Sequence, residues 1–333
     1  MDEFTREILT DETLIACRES WFQKIRDIYS GKDKEKMFLR VLGAETKNPE
    51  LIYTDPEKWM DEALENLAVQ AKNAASKQLF LPLAVENWIY GVHFVDKVFG
   101  AEVFFQYDQW YNHYLKNEVG KLEKPDLENN ETWGLAKRIA QAFLNRKVTV
   151  PMIATQVIAS ALNIAVNLYG EEILVAMVTE PEAAHHDLQI INEVLMEMHR
   201  WYREHIPTNQ LQPVAIGGRA QPPGHGQLCG CTTQLLSPAL YEEFIMPLDN
   251  ALLGVYPNGG LIHLCGSHKQ LIPLFARMEN LKNVQLNDKA AEDLEYYVEG
   301  LREDQVIYLN LCEGMPLERA LEIAKDKRMI IIA

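Results

Sequence analysis

Cysteine is scarce in this chain: five in 333 residues, Cys17, Cys229, Cys231, Cys265 and Cys312. An odd and sparse set excludes a disulfide framework and points to reduced thiols. Basic side chains are also in deficit, 32 Lys and Arg against 48 Asp and Glu, which leaves a formal net charge of −16. That field repels nucleic acid and anionic lipid surfaces, so neither is an expected partner, and an anionic small molecule would need a local basic pocket. No run of about 18 apolar residues occurs, and the opening Met1-Asp2-Glu3-Phe4 is acidic where a secretory signal would be basic. The chain therefore reads as cytoplasmic. Internal repeats, low-complexity tracts and long linkers are missing too. Gly217-Gly218 and Gly224-His225-Gly226 lack the spacing of a dinucleotide or phosphate loop and read as loops at the mouth of a site.

What remains is 47% apolar, enough for a sizeable core. Residues 1–77 read as an N-terminal helical extension. Asp55-Pro56 is a good cap and first-turn pair, and Trp59, Ala63, Leu64, Leu67 and Ala71 share one helical face. From residue 78 the pattern changes to short apolar runs separated by helical segments, the signature of a parallel sheet with crossover helices. Eight runs are expected as buried strands: 79–85, 101–107, 148–154, 213–217, 261–265, 283–286, 305–311 and 329–333. Eight is the number a closed barrel needs, so the predicted fold is α/β, a (β/α)8 TIM barrel over 78–333 behind the helical extension. A doubly wound open sheet is the rival. Between the runs, Ile191, Val194, Leu195, Met198, Trp201 and Tyr202 recur at helical spacing. Ser237-Pro238 starts another helix, which Pro247 should kink.

In such a barrel the chemistry lies at the carboxyl ends of the strands. Those ends carry Glu86, Asp108, His263, Cys265, Asp288 and Cys312. His263 and Cys265 stand two apart on a strand and so share a face. Imidazole and thiolate are preferred zinc ligands, and a third ligand would leave a position open for substrate. Cys312 is the leading third ligand, and Cys229 or Cys231 could replace it. Asp288 could be a fourth ligand or an outer partner. Asp108 and Glu86 are candidates for general acid or base, although strand-end carboxylates also cap helices. Cys17 reads as a small buried apolar residue. His185-His186 and His268 read as surface residues near helix starts.

Leu235-Leu236-Ser237-Pro238, then Tyr241-Glu242-Glu243-Phe244 with Pro247, followed by Ile262-His263-Leu264-Cys265-Gly266, resembles the uroporphyrinogen decarboxylase superfamily. The likeness runs from about residue 79 to the end and implies a (β/α)8 barrel. Within that superfamily the methylcobamide:coenzyme M methyltransferases carry a His-x-Cys…Cys zinc site, which His263 and Cys265 match. Their distal cysteine follows the last strand, whereas Cys312 ends the seventh run here. Asp108 takes the strand-end place of the decarboxylase's catalytic aspartate. The decarboxylase's Arg-Gln-Ala-Gly-Arg segment is replaced by Leu83-Ala84-Val85-Glu86-Asn87-Trp88, and a tetracarboxylate needs paired arginines.

The resemblance thus implies a zinc-dependent methyltransferase that moves a methyl group between a corrinoid, carried on a partner protein, and a thiol or similar small acceptor. Zinc would lower the pKa of the thiol. Two alternatives stand beside it. One is decarboxylation of a tetrapyrrole or smaller carboxylated substrate, with Asp108 stabilising positive charge. The other is a corrinoid- or tetrapyrrole-binding module without catalysis.

Overall fold

A computed structural model describes residues 1–33, 36–76, 82–157, 159–214 and 218–332. Twelve strand segments appear among them. β1 is Met37–Leu39, β2 Leu42–Gly43, β3 Leu83–Val85, β4 Val103–Gln106, β5 Gln109–Asn112 and β6 Met152–Ala154. β7 is Leu211–Gln212, β8 Gly226–Cys229, β9 Gly260–Leu264, β10 Leu281–Leu286, β11 Val306–Asn310 and β12 Met329–Ile332. They form a six-stranded sheet in the order β1-β12-β11-β10-β9-β8, a four-stranded sheet β2-β3-β6-β7 and a separate pair β4-β5. Every pairing in the two larger sheets is parallel.

The two parallel sheets are tied at both margins. β1 and β2 follow one another with only Arg40 and Val41 between, so one stretch of chain serves both sheets. At the other side a parallel bridge joins Ala159, past the end of β6, to Cys229 at the end of β8. A hydrophobic cluster draws Ala84 and Met152 from one sheet and Leu39, Leu261, Val306, Tyr308 and Ile330 from the other onto Trp21, Phe22, Ile25 and Ile28 of helix Glu12–Tyr29. Arg18 of that helix is fully buried, pairs with the Glu19 carboxylate at 3.0 Å and donates to the carbonyls of Thr149 and Val150, so its charge is satisfied where the helix meets the loop before β6.

The expected succession of eight barrel strands needs three corrections. The run at 101–107 is an antiparallel hairpin with β5, outside both parallel sheets, with Phe105 and Tyr107 exposed. Strand β7 precedes the expected run at 213–217, of which 215–217 lie outside the described residues, as do 79–81 of the first run and Ala333 of the last. β1, β2 and β8 were not expected. β1 and β2 also mean that residues 1–77 enter both sheets in addition to forming helices; the expected boundary between 77 and 78 itself lies outside the described residues.

The helices follow their sequence signals more closely. Helix Pro56–Ser76 opens on Asp55, whose carboxylate accepts the Lys58 N–H, and its predicted face is buried. Helix Pro181–His205 buries Ile191, Val194, Leu195, Met198 and Tyr202. Pro247 is accommodated differently from a simple kink. The chain widens into a π-helical turn at Tyr241–Ile245 and resumes an α-helix at Met246–Leu253, with Pro247 in its first turn, where a missing N–H costs nothing. No single helix among the described residues is long and apolar enough to cross a membrane.

Two buried titratable groups couple this packing to pH. His199 is fully buried with Nδ1 against the Tyr256 hydroxyl at 2.9 Å, and burial pulls its pKa down to about 4. Its folded form stays neutral where the unfolded chain would be charged, so stability is present above the unfolded value and is lost as pH falls towards 4. Asp249 acts in the opposite sense: burial raises it to about 7, so its contribution is present at low pH and is lost as pH rises through 7. We predict that His199→Gln reduces the loss of unfolding stability between pH 6.5 and 4 by up to about 3 kcal/mol. Urea unfolding of both proteins at the two pH values measures it, and equal pH slopes would refute the assignment.

Candidate metal centre

The pairing of β8 with β9 sets Cys229 directly beside His263. Neighbours in register present their side chains to the same face, and the two-residue period of the strand carries that face on to Cys265, just past the end of β9. Two residues beyond Cys229 the chain turns into a 3-10 segment, Cys231–Leu235, which folds the Cys231 thiol back between the other two. Cys231 Sγ lies 3.4 Å from Cys229 Sγ and 3.2 Å from Cys265 Sγ. Cys265 Sγ lies 3.0 Å from His263 Nε2. The candidate ligand atoms of Cys229, Cys231 and His263 all fall within 4.8 Å of one another.

Small residues make this crowding possible. A Cβ on Gly230 would come within 2.6 Å of Ile262, and one on Gly266 within 1.7 Å of the Gln234 side chain. The absence of a side chain at Gly266 gives the end of the Gln234 side chain room against the turn after β9.

The donor set suits zinc. Two thiolates on a tetrahedral ion lie about 3.8 Å apart, given Zn–S bonds of about 2.3 Å. An opening of a few tenths of an ångström would convert the observed spacing. The imidazole is also in the right tautomer. Nδ1 of His263 lies 2.7 Å from Oε1 of Gln285, whose own amide N–H donates to Asn310 Oδ1 at 3.0 Å. Nδ1 therefore carries a proton, and Nε2, the nitrogen that hydrogen-bonds the Cys265 sulfur, is the one that would bind a cation in place of a proton of its own.

The three sulfurs titrate as one unit. Cys265 is pushed down to about 4, first by its hydrogen bond with Cys231 and then by that with His263. Cys229 falls to about 6, again chiefly through Cys231, which is itself pushed upward by its two sulfur neighbours. Cys231 has only one S–H, so it can protect one neighbouring thiolate at a time. A cation among them would relieve that competition.

The other expected site residues lie elsewhere. The Cys312 thiol points to the backbone carbonyl of Asp288 at 3.9 Å and is not in the cluster, while Cys229 and Cys231, the sequence alternatives, are. Asp288 opens helix Asp288–Glu292, and its charge acts on Cys265 as a minor upward influence. Asp108 sits at the exposed turn of the β4–β5 hairpin rather than at the end of a strand of either parallel sheet. Glu86 directly follows β3, is nearly buried and faces an aromatic cavity. Cys17 is exposed, against expectation.

His268 departs furthest from its expected surface position. It is fully buried between the two loops that carry the cysteines, with Nδ1 2.7 Å from the Gly266 carbonyl and Nε2 3.2 Å from that of Gly230, and in the neutral ring that burial favours one of these carbonyls accepts its single N–H. Gln285 was missed as well. The available signal was a polar residue in the buried run 283–286, where each polar side chain needs a partner.

No family model matches the chain, and no curated protein matches it. Among solved structures, a methyltransferase from Methanosarcina mazei superposes with a TM-score of 0.57 over 92% of this chain and 90% of its own, at 12% sequence identity. The likeness is one of fold.

The thiol geometry predicts that, in metal-free protein, Cys265 alkylates with iodoacetamide at pH 6 faster than glutathione does, because its neighbours hold its titration well below the ordinary thiol range. Mass spectrometry of the labelled peptides reads this directly. Half-maximal labelling near the ordinary thiol value of about 8.5 would contradict it.

Proposed function

We propose that this chain is a zinc-dependent methyltransferase acting between a corrinoid, carried on a partner protein, and a thiol or similar small acceptor. The observation that carries the reading is the meeting of Cys229, Cys231, Cys265 and His263 at the ends of two adjacent parallel strands. The fold likeness to a methyltransferase supports it. We further read the two parallel sheets as arcs of one (β/α)-barrel, because strands of both contribute to a shared inner cluster.

His263 and two of the three cysteines would hold the ion, and the remaining thiol would yield its place to the substrate. Bound zinc supplies Lewis acidity that keeps an incoming thiol deprotonated at neutral pH. Gln285 holds His263 in the productive tautomer, and Asn310 holds Gln285. His268 keeps the Gly230 and Gly266 loops at a fixed separation, which preserves the spacing of the sulfurs. Cys265, the lowest of the thiols, needs least proton release on ligation and is the ligand we expect to matter most. Cys312 has no part in this arrangement.

Elemental analysis should find about one zinc per chain, lost or strongly reduced in His263→Ala and Cys265→Ser and retained in Cys312→Ser. Gln285→Leu should weaken zinc by about 10- to 100-fold in chelator competition. Zinc at background in wild type, or its loss in Cys312→Ser alone, would overturn the metal assignment. Demethylation of methylcobalamin by a small thiol, followed by absorbance, tests the transfer itself; no turnover by zinc-loaded protein with either free or protein-bound methylcorrinoid would overturn the reaction.

A further inference from the structure

A second site lies apart from the cysteines. A cavity of about 530 Å³ opens beside the carboxyl ends of β2 and β3, between the segment carrying Glu50 and Tyr53 and the β4–β5 hairpin. Its wall is largely apolar and rich in aromatic rings, with Tyr53, Trp88, Phe105 and Trp110 among the lining residues. The charged side chains on it are the carboxylates of Glu50 and Glu86, and no lysine, arginine or histidine is among its described lining residues.

The rings are held in place before any ligand arrives. Trp110 packs edge-on to Phe105 at 5.1 Å between centroids and lies 6.0 Å from Tyr53. The Tyr53 hydroxyl accepts the backbone N–H of Tyr90, and the Tyr90 ring in turn lies tilted against Tyr53 at 5.2 Å and edge-on to Trp110 at 5.1 Å. Gly91, at φ +56°, leaves room for the indole: a Cβ there would meet Trp110 at 3.2 Å. The cluster already attracts one cation of the protein itself, since the Lys97 ammonium stands 5.0 Å from the Tyr90 ring centre.

We infer that this cavity binds a small molecule bearing a methylated ammonium group. Ring faces and carboxylates both attract positive charge. A primary ammonium has three N–H donors that each need an acceptor, and apart from the Glu50 and Glu86 carboxylates the wall is largely apolar. A quaternary ammonium needs none and presents polarised methyl groups to the rings. The volume exceeds that of the cationic head alone, so a substituent fits beside it. This inference stands independently of the zinc reading.

Choline, its neutral carbon isostere 3,3-dimethylbutan-1-ol and ethanolamine provide the test, using titration calorimetry and tryptophan fluorescence on the full chain. Choline is expected to bind saturably, at least about tenfold more tightly than either comparator. Equal affinity for the neutral isostere would show a merely apolar pocket, equal affinity for ethanolamine would remove the preference for methylation, and no saturable choline binding would remove the site. Each of these outcomes overturns the inference. Trp110→Leu, which removes the ring and leaves a smaller apolar side chain, should lower choline affinity about tenfold, measured well below the variant's melting temperature. Unchanged affinity in that variant counts equally against the site, and if the variant does not fold, the wild-type comparison decides.

Discussion

The register of β8 against β9 is the constraint on which the rest of the candidate centre depends. Cys229 opposite His263 is one of four consecutive pairings that begin at Gly226 opposite Gly260. The first pair is pressed so close that a Cβ on Gly260 would lie 2.2 Å from the Gly226 carbonyl oxygen. A slip of one residue would turn Cys229 to the opposite face and dissolve the cluster. With the register held, the two-residue period of extended chain places Cys265 without further cost.

Holding a polar cluster at the end of buried strands requires partners for every donor and acceptor. For the imidazole the structure meets this across three neighbouring strands: His263 on β9 bonds Gln285 on β10, which bonds Asn310 on β11. His268 spans the loops above. The sulfurs are less settled, because one S–H between two thiolates leaves negative charge partly unshielded. The scaffold therefore fixes the positions of the candidate ligands, and a cation among them would balance their charge.

Much of the helical layer was legible from residue pattern, since helices such as Pro56–Ser76 and Pro181–His205 carry a cap or a long period of 3.6. Strands were harder, for physical reasons. An aromatic run such as 101–107 satisfies an edge hairpin as well as a buried strand, because both reward bulky and branched side chains. β2 is two residues long, and β8 lies in a stretch of Gly, Pro and His that composition alone marks as loop. Of the centre, His263 and Cys265 were readable because their relation is local to one strand. Choosing among Cys312, Cys231 and Cys229 required knowing which strand ends adjoin.

By itself the sequence determined an α/β chain of parallel strands, few reduced thiols, an acidic surface charge and one local His-x-Cys pair, all of which depend on residue type and short spacing. Tertiary structure alone decided that β8 lies beside β9, that Cys229 and Cys231 join that pair while Cys312 faces a backbone carbonyl, and that Asp108 stands on an exposed hairpin. It also gathered Tyr53, Trp88, Phe105 and Trp110 around one cavity. The reason is the same in each case. Short-range pattern constrains which way a side chain points within its own element, whereas contact between elements far apart in the chain is settled only when their buried faces pack together.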